Sequence, residues 1–528
     1  MRFYCDSKNG KLLYCLVRRL NMKVGFLFGA GAEVPYNMPT GGSFALDIFR
    51  QDPAQSKKEF KDMRSQIGLD TEYAATWLPD NFCNKNIGTF GKSVFENIIK
   101  DTIEHNRSKV IEHLNKFDII AENVSSKIQV KYNVNIDEII EGVIERDLDA
   151  LNMSQMFAFA NEFSEGNRLF SNKYFSALLS IYKKTSKNSS LLKKNLGKVI
   201  LSIIQLQVGA LSESLSRRIN DSPFSKKDDD IDLFDDLGDL INLNYSLSGV
   251  SGLNYLLDQD EIQEPLDNED YIVLFARSVL ENIFSDVIDY KSLIDTNWHY
   301  LYCPKSEWSK FCKICIFLFT VLNYIEDQCK KADEDKSGYY DDLNEYINNK
   351  KIDISAIATT NYTSLITNKI PSTEKIYFLN GSTGKWYDPY LNRIGTKDQL
   401  NEDETHFIVP LLFTQSGTKP MTSIHMSKEY VRVYESFYDS DIVCVVGFGF
   451  NLDDEHINGI FRELVDHNKQ LMIITIKGDK STTELEKIYA KRLKVNKRKN
   501  IHVILVDKDR MDDKNLWLDT VLSFSGES

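Results

Sequence analysis

The sequence predicts an α/β protein in which a doubly wound parallel sheet is interrupted by a large, mostly helical insertion. Three observations lead to this prediction. An apolar run at 24–28 ends at Gly29 and is followed by a short helical pattern at 44–49. From about residue 60 to 350, apolar residues recur every three or four positions, as on the buried side of a helix. Beyond residue 352, apolar runs of strand length return and alternate with helical segments.

The apolar runs beyond residue 352 are continuous rather than alternating, which is typical of parallel strands covered on both faces. They lie at 354–358, 375–379, 406–410, 441–446, 471–476 and 502–506. Helical segments at 427–438 and 482–494 separate several of them. We therefore expect these runs and the first strand at 24–28 to form one sheet. The predicted boundaries are 22–60 and 350–528 for the sheet domain, 61–349 for the helical insertion and 1–21 for an N-terminal extension.

Length, charge and cysteine content narrow the class of protein. A chain of 528 residues is expected to form more than one substructure. The net charge of -13 argues against a surface that binds nucleic acid. Its eight cysteines lack the dense spacing of a secreted disulfide scaffold, and the apolar stretch at 12–20 is too short to span a membrane. We expect a cytoplasmic protein without a nucleic-acid or membrane partner.

A pair of glycines follows the first predicted strand. Gly29 and Gly31 allow the backbone to turn tightly and to approach a phosphate group, which the following helix N-terminus would stabilise. The usual dinucleotide fingerprint has a third glycine at the position of Val34, so an oxidoreductase is disfavoured. A tight turn that binds no ligand stays open as the alternative.

Polar residues and glycines also follow three of the later strands. They are Thr359, Thr360, Asn361 and Tyr362, then Asn380, Gly381 and Ser382, and finally Gly447, Gly449, Asp453, Asp454 and His456. The carboxyl ends of parallel strands meet at one edge of a sheet, where open α/β sheets bind ligands. Asn361 can donate and accept hydrogen bonds without titrating. Each segment alone is typical of a turn, so the prediction of a ligand site depends on their convergence.

These segments resemble sirtuin motifs, and their order along the chain is the same. The segment G-A-G-A-E-V-P-Y-N-M-P at 29–39 resembles the sirtuin glycine motif, and T-T-N-Y at 359–362 resembles the motif that carries the sirtuin asparagine. The segment F-L-N-G-S at 378–382 resembles the leucine-histidine-glycine segment. The segment V-V-G-F-G-F-N-L-D-D-E-H-I-N at 445–458 is similar to the terminal motif of bacterial sirtuin-like defence proteins. A weaker match at 135–140 resembles a helical element of their insertion. The chain thus resembles the bacterial defence-associated sirtuin-like NADase family, which includes the sirtuin-like subunits of Kongming-type anti-phage systems.

The resemblance implies a Rossmann-like, sirtuin-like domain that hydrolyses NAD+ at the nicotinamide-ribose bond. It implies that NAD is the substrate and that the enzyme depletes NAD in anti-phage defence, held inactive until triggered. Asn361 would hold the nicotinamide ribose or the attacking water, and Gly447 with Phe448 would flank the adenosine half. The implied NAD-binding residues are Gly29, Ala30, Gly31, Ala32, Pro39, Thr360, Gly381, Ser382, Gly447, Phe448 and Gly449.

The sequence departs from deacylating sirtuins at three places. One paired-cysteine spacing, Cys312 and Cys315, lies in an apolar helical run and is interpreted as core packing, so no zinc is expected. Asn380 stands in place of the histidine base and cannot take a proton near neutral pH. Glu33 stands in place of a serine. Deacylation is therefore disfavoured.

Hydrolysis of the nicotinamide-ribose bond needs no general acid, because nicotinamide leaves as a neutral molecule. The ribose becomes cationic in the transition state, and oriented dipoles can stabilise it. Asn361 and Asn380 would supply oriented dipoles. Glu33 is a substitute base, a ribose ligand or a solvated residue at a helix start. His456 is another candidate base or a helix-capping residue. The predicted catalytic residues are Asn361, Asn380, His456 and Glu33.

A non-catalytic NAD- or nucleotide-binding subunit of a defence complex is the alternative function. The resemblance implies a homo-oligomer, a defence partner subunit, or both, and the partner would be a Ham-type purine nucleotide pyrophosphatase homologue or a hexameric ATPase. The basic cluster K-R-L-K-V-N-K-R-K at 491–499 is either a docking surface or a solvated helix end. The acidic segment at 222–232 is interpreted as an exposed loop rather than a metal site.

Overall fold

The computed structural model of the chain describes residues 22–39, 41–105, 107–152, 168–185, 190–211, 250–257, 265–285, 291–333, 335–373, 375–402, 404–412, 423–451, 454–478 and 480–524. The predictions for 1–21 and 222–232 lie outside these residues. The chain divides into two compact units. The first combines Met1–Thr40, Gln51–Thr89 and Lys291–Ser528, and the second combines Gly41–Arg50 and Phe90–Tyr290.

The strands belong to the first unit. In chain order they are β1 (Lys23–Phe28), β2 (Asp353–Thr359), β3 (Ile376–Phe378), β4 (Gly381–Asp388), β5 (Arg393–Gly395), β6 (Val409–Leu412), β7 (Ile442–Val446), β8 (Gln470–Ile476), β9 (Ile501–Val506), β10 (Met511–Asp512) and β11 (Asn515–Leu516). Six of them form a parallel sheet in the order β3-β2-β1-β7-β8-β9. The protein is therefore mixed α/β, compatible with a Rossmann-like fold in which the chain builds the sheet outward from β1.

One predicted strand belongs to a different sheet. The apolar run at 406–410 was expected in the parallel sheet, but β6 pairs antiparallel with β4, which also pairs antiparallel with β5. All four residues of β6 are buried. A strand buried on both faces has the same continuous apolar pattern in either kind of sheet, so the pattern predicted the strand without predicting its partner.

The parallel sheet is covered on both faces. Phe26 and Phe28 of β1 belong to one hydrophobic core, and Leu27 between them belongs to the other. The first core includes residues of the Tyr339–Asn348 and Trp517–Ser523 helices, and the second those of Ile424–Tyr438, Glu455–Asp466 and Thr482–Leu493. Two-sided burial accounts for the uninterrupted apolar sequence of these strands.

The remaining helices of the first unit are Ala54–Gln66, Glu72–Trp77, Lys291–Asn297, Trp308–Lys331, Leu365–Lys369 and Lys397–Leu400. The Trp308–Lys331 helix is long and apolar enough to cross a membrane, but 78% of its most apolar window is buried inside the protein, as in a core helix. Cys312 and Cys315 are buried on this helix as free thiols. Burial raises the pKa of the Cys312 thiol to about 12, which agrees with its interpretation as a core residue.

In the second unit, the described residues form helices at Gly41–Arg50, Lys92–His105, Arg107–Asn115, Phe117–Tyr132, Ile136–Ile144, Lys173–Lys184, Ser190–Leu211, Val250–Leu257 and Asn268–Ser285. The division differs from the predicted boundaries at three segments. Gly41–Arg50, predicted in the sheet domain, belongs to the helical unit, whereas residues 61–89 and 291–349, predicted in the insertion, belong to the unit with the sheet. Helical periodicity marks which residues of a helix are buried but not which unit buries them.

Candidate functional site

The polar segments predicted to converge lie at one edge of the parallel sheet. In the strand register, Phe28 at the end of β1 pairs with Thr359 of β2 and with Val446 of β7. The hydrogen bonding extends one residue further, because the Gly29 N–H donates to the Val446 carbonyl (2.9 Å) and the Thr360 N–H donates to the Phe28 carbonyl (3.0 Å). The chain order reverses at β1, so this edge is the switch point at which open α/β sheets bind ligands.

The glycine turn after β1 packs directly against the loop after β7. The Gly31 N–H donates to the Gly447 carbonyl at 3.0 Å. A Cβ added at Gly31 would lie 2.8 Å from the Gly447 Cα, and one added at Gly447, whose φ is +66°, would lie 2.4 Å from the Ala32 nitrogen. The close approach that requires glycine here is between two backbones. Gly29 and Gly31 were expected to bring the backbone close to a phosphate group, but their N–H groups are used in these contacts, whereas Ala30 is exposed.

The predicted strand, turn and helix are all present, but a further element lies between the turn and the helix. A 3-10 helix, Ala30–Tyr36, follows the turn directly, and the next helix, Gly41–Arg50, belongs to the other unit. Within the 3-10 helix, Glu33 is 3% exposed and Val34 is 47% exposed. The interpretation of Glu33 as a solvated residue at a helix start is therefore wrong.

Glu33 is the centre of a buried group of hydrogen bonds. Its Oε1 accepts from the Thr363 hydroxyl at 2.6 Å and from the Tyr340 hydroxyl at 3.0 Å. The Nδ2 of Asn361 donates to the same Tyr340 oxygen at 3.2 Å. Burial raises the pKa of Glu33 to about 7, although the hydrogen bonds from Thr363, Tyr340 and Asn361 favour the carboxylate. Glu33 can therefore gain or lose a proton near neutral pH.

The orientation of Asn361 follows from its partners. Its Nδ2 donates to the Gly29 carbonyl at 3.1 Å, and a carbonyl oxygen can only accept. The amide nitrogen consequently faces the glycine turn. The bonds to Gly29 and Tyr340 use only this nitrogen and do not involve Oδ1. The predicted closeness of Asn361 to the turn is confirmed. The contact is direct, so no ribose fits between these two atoms.

Asn380 and His456 form a second polar pair at the same edge. Asn380 is 1% exposed, and its Nδ2 donates to the Thr360 carbonyl at 3.1 Å. Its Oδ1 lies 3.4 Å from Nε2 of His456, the second residue of the Glu455–Asp466 helix. Because Oδ1 only accepts, Nε2 carries the proton of this contact. Neighbouring Leu379 and Ile457 belong to one hydrophobic core, whereas Tyr340 belongs to the core on the opposite sheet face.

Several predicted NAD-binding residues have buried side chains or structural roles. Phe448 is 5% exposed and packs against Phe450 with ring centroids 5.1 Å apart, so its side chain lies in the core rather than beside an adenosine. Gly381 begins β4 with a φ of +84°, and an added Cβ would lie 1.8 Å from the Leu411 carbonyl oxygen. The remaining side chains are buried at Ala32, Thr360 and Ser382 and partly buried at Pro39. The backbone of the loops that follow β1, β2, β3 and β7 forms this edge of the sheet, which we call the rim.

The basic cluster at 491–499 lies partly against this rim. Arg492 donates to the Gly449 carbonyl at 2.5 Å, and Lys494 pairs with Glu455 at 3.0 Å. Glu455 begins the helix that carries His456 and also pairs with Arg462 at 2.6 Å. At least part of the cluster therefore supports the loop after β7.

Sequence reasoning missed two residues that contact Glu33. Thr363 follows the T-T-N-Y segment, so its proximity to that motif was a usable signal. Tyr340 lies in the stretch predicted to be a helical insertion, 307 residues from Glu33, and nothing in its local sequence connects the two. The stacking of Tyr36 on Tyr340, with centroids 5.5 Å apart, also became visible only in the structure.

Two further features lie away from this rim. Buried His406 contacts the Asp388 carboxylate through Nδ1 at 2.8 Å, which ties the end of β4 to the segment before β6. A cavity of about 650 Å³ lies beside β9, and its lining includes Lys477, His502 and Phe524. In the part of the chain that the structure describes, no group of three or more His, Cys, Asp and Glu side chains is arranged to hold a metal ion.

Compared with known proteins, the chain matches no family model, and no curated protein matches it. Its class therefore follows from the fold and the rim. It is a mixed α/β protein with a six-stranded parallel sheet and a buried polar group at the switch point of that sheet.

Proposed function

We propose that the protein is a sirtuin-like NAD+ glycohydrolase that cleaves the nicotinamide-ribose bond, with Asn361 and Glu33 at its active site. One observation carries the proposal. Asn361, Glu33 and the Gly29 turn form a single hydrogen-bonded group at the switch point of the parallel sheet. The four motifs that resemble sirtuins in the same order support the choice of NAD as the substrate.

The chemistry of this group suits a cationic transition state. As nicotinamide leaves, positive charge develops on the ribose, and an oriented Asn361 Oδ1 would stabilise it together with the Glu33 carboxylate. A carboxyl group whose pKa is about 7 can also accept the proton of the attacking water. Asn380 supplies a dipole but no base. His456 contacts Asn380 and would act there rather than beside Glu33.

The proposed biological role is depletion of NAD during anti-phage defence by a cytoplasmic enzyme that is inactive until triggered. We propose that it acts as a homo-oligomer, with a defence partner, or both, and without nucleic acid or membrane. The partner would be a Ham-type purine nucleotide pyrophosphatase homologue or a hexameric ATPase. The Gly41–Arg50 helix, which follows the glycine turn in sequence, belongs to the helical unit. We propose that control of the activity comes from this helical unit, from self-assembly or from the partner.

The test uses the purified full chain, alone and with the products of neighbouring genes, incubated with NAD+ while nicotinamide release is followed by chromatography. Release by the wild type and its loss in Asn361→Ala are expected. Tight binding by calorimetry without release would select the non-catalytic subunit, which the non-basic Asn380 favours. Neither binding nor release with every partner, together with an unaffected Asn361→Ala phenotype during infection, would reject the proposal.

A further inference from the structure

The hydroxyl of Tyr340 uses both of its hydrogen-bonding roles at the rim. The Nδ2 of Asn361 can only donate, so the Tyr340 oxygen accepts from it at 3.2 Å. The single hydroxyl proton is then left for Oε1 of Glu33, 3.0 Å away. One oxygen atom therefore links the amide to the carboxyl group.

The position of Tyr340 is set by contacts with the 3-10 helix after the glycine turn. Its ring is fully buried, stacks on Tyr36 and meets the edge of Phe28 with centroids 5.1 Å apart. Its N–H donates to the Tyr36 hydroxyl oxygen at 3.1 Å. That hydroxyl donates in turn to Asp341 at 2.9 Å, and Asp341 is paired with Lys369 at 2.9 Å. The start of the Tyr339–Asn348 helix is thus attached to the segment that carries Glu33.

We propose that Tyr340 is a positioning residue of this site, whose hydroxyl orients the Asn361 amide and the Glu33 carboxyl group together. The inference deepens the proposed function, and its activity arm rests on that function. Thr363 and Asn361 also face Glu33 but do not titrate, and the charged groups nearby, Asp341 and Lys369, lie beyond Tyr36. The hydroxyl of Tyr340 accordingly joins protonation of Glu33 to the direction of Asn361 Oδ1, beside the direct effect of Asn361 on the carboxylate.

The experiment compares Tyr340→Phe with the matched control Tyr346→Phe. Tyr346 lies on the same helix, and its hydroxyl donates to the carboxylate of Asp519 at 2.7 Å, far from Glu33 in the hydrogen-bond network. The titration of Glu33 is obtained from the pH dependence of the unfolding midpoint, as the difference between each form and its Glu33→Gln counterpart. Tyr340→Phe should move this titration upward by about one pH unit, because a donor to the carboxylate is lost.

The second measurement is the pH profile of nicotinamide release. Tyr340→Phe should shift the profile in the same direction and lower kcat about tenfold, with KM changed less than about threefold, since the substrate contacts remain. Tyr346→Phe should leave both measurements at wild-type values. An unmoved Glu33 titration in Tyr340→Phe, or an equal shift in Tyr346→Phe, would overturn the role of Tyr340. A shifted titration in a protein that never releases nicotinamide would support that role and reject the hydrolase.

Discussion

The rim of the sheet carries two polar clusters whose central residues, Glu33 and Asn380, are both buried but differ in chemistry. Glu33, 3% exposed, accepts two hydroxyl donors at 2.6 and 3.0 Å and has a pKa raised to about 7. Asn380, 1% exposed, meets His456 at 3.4 Å through an amide that does not titrate. Burial alone therefore does not define a reactive position. The cluster around Glu33 combines a titratable group with short, directional contacts, whereas the cluster around Asn380 provides a neutral dipole.

The largest expected effect separates the two asparagines. Asn361→Ala removes an oriented dipole next to the reacting ribose and should lower nicotinamide release at least about 100-fold. Asn380→Ala should lower it only about tenfold, because its amide contacts the Thr360 carbonyl and His456 rather than Glu33. The two activities are compared after the unfolding midpoints of both variants have been measured and found equal, so that a loss of folded protein does not count as a loss of activity. A greater loss in Asn380→Ala would reverse the comparison and assign the chemistry to the other cluster.

The next effect concerns stability and the proton of Glu33. Burial raises the pKa of this carboxyl group from 4.5 to about 7. Between these values the unfolded chain has lost a proton that the folded protein retains, so ionisation favours unfolding. The contribution is fully present below about pH 4.5 and is lost as the pH rises to about 7.

The size of this loss is at most about 3 kcal/mol. Glu33→Gln has no proton to lose, so its free energy of unfolding should not show this decrease as the pH rises. Denaturant titrations of both proteins at pH 5 and pH 8 measure the difference. Parallel pH dependence in the two proteins would show that Glu33 is ionised throughout this range and would remove the main contrast with Asn380.

A smaller effect is expected from the contact between the two glycine loops. Gly447→Ala combines a φ of +66° with a Cβ only 2.4 Å from the Ala32 nitrogen, and should cost about 2 kcal/mol of stability. Gly459→Ala is the control, since an added Cβ at this helical position meets no atom within 4 Å. It should be neutral or stabilise by up to about 1 kcal/mol. Equal unfolding midpoints for the two variants would contradict the close packing at the rim.

The smallest effect is expected at His456. His456→Gln keeps a donor for the Asn380 oxygen and removes only the titrating ring, so nicotinamide release should fall less than about threefold at pH 8. The same assay on Glu33→Gln provides the comparison and should show a loss of about 100-fold. A loss of that size in His456→Gln would identify the histidine as the base.

Part of this rim could be predicted from sequence because its residues directly follow strands. Asn361 and the Gly29 turn were placed at one edge by the apolar runs before them, and the structure joins them at 3.1 Å. The partner of the 406–410 run could not be predicted, because burial on both faces leaves the same pattern in parallel and antiparallel sheets. The environment of Glu33 was also missed, since a charged residue after a glycine turn is ordinarily solvated.

The amino-acid sequence by itself determined where most strands and helices form, because a strand covered on both faces requires an uninterrupted apolar run and a helix requires a repeat of three to four residues. Only the tertiary structure decided which segments meet. It set Gly31 against Gly447, and it brought Tyr340 to Glu33 across 307 residues. Such contacts depend on the packing of whole elements, and the local sequence of neither partner encodes them.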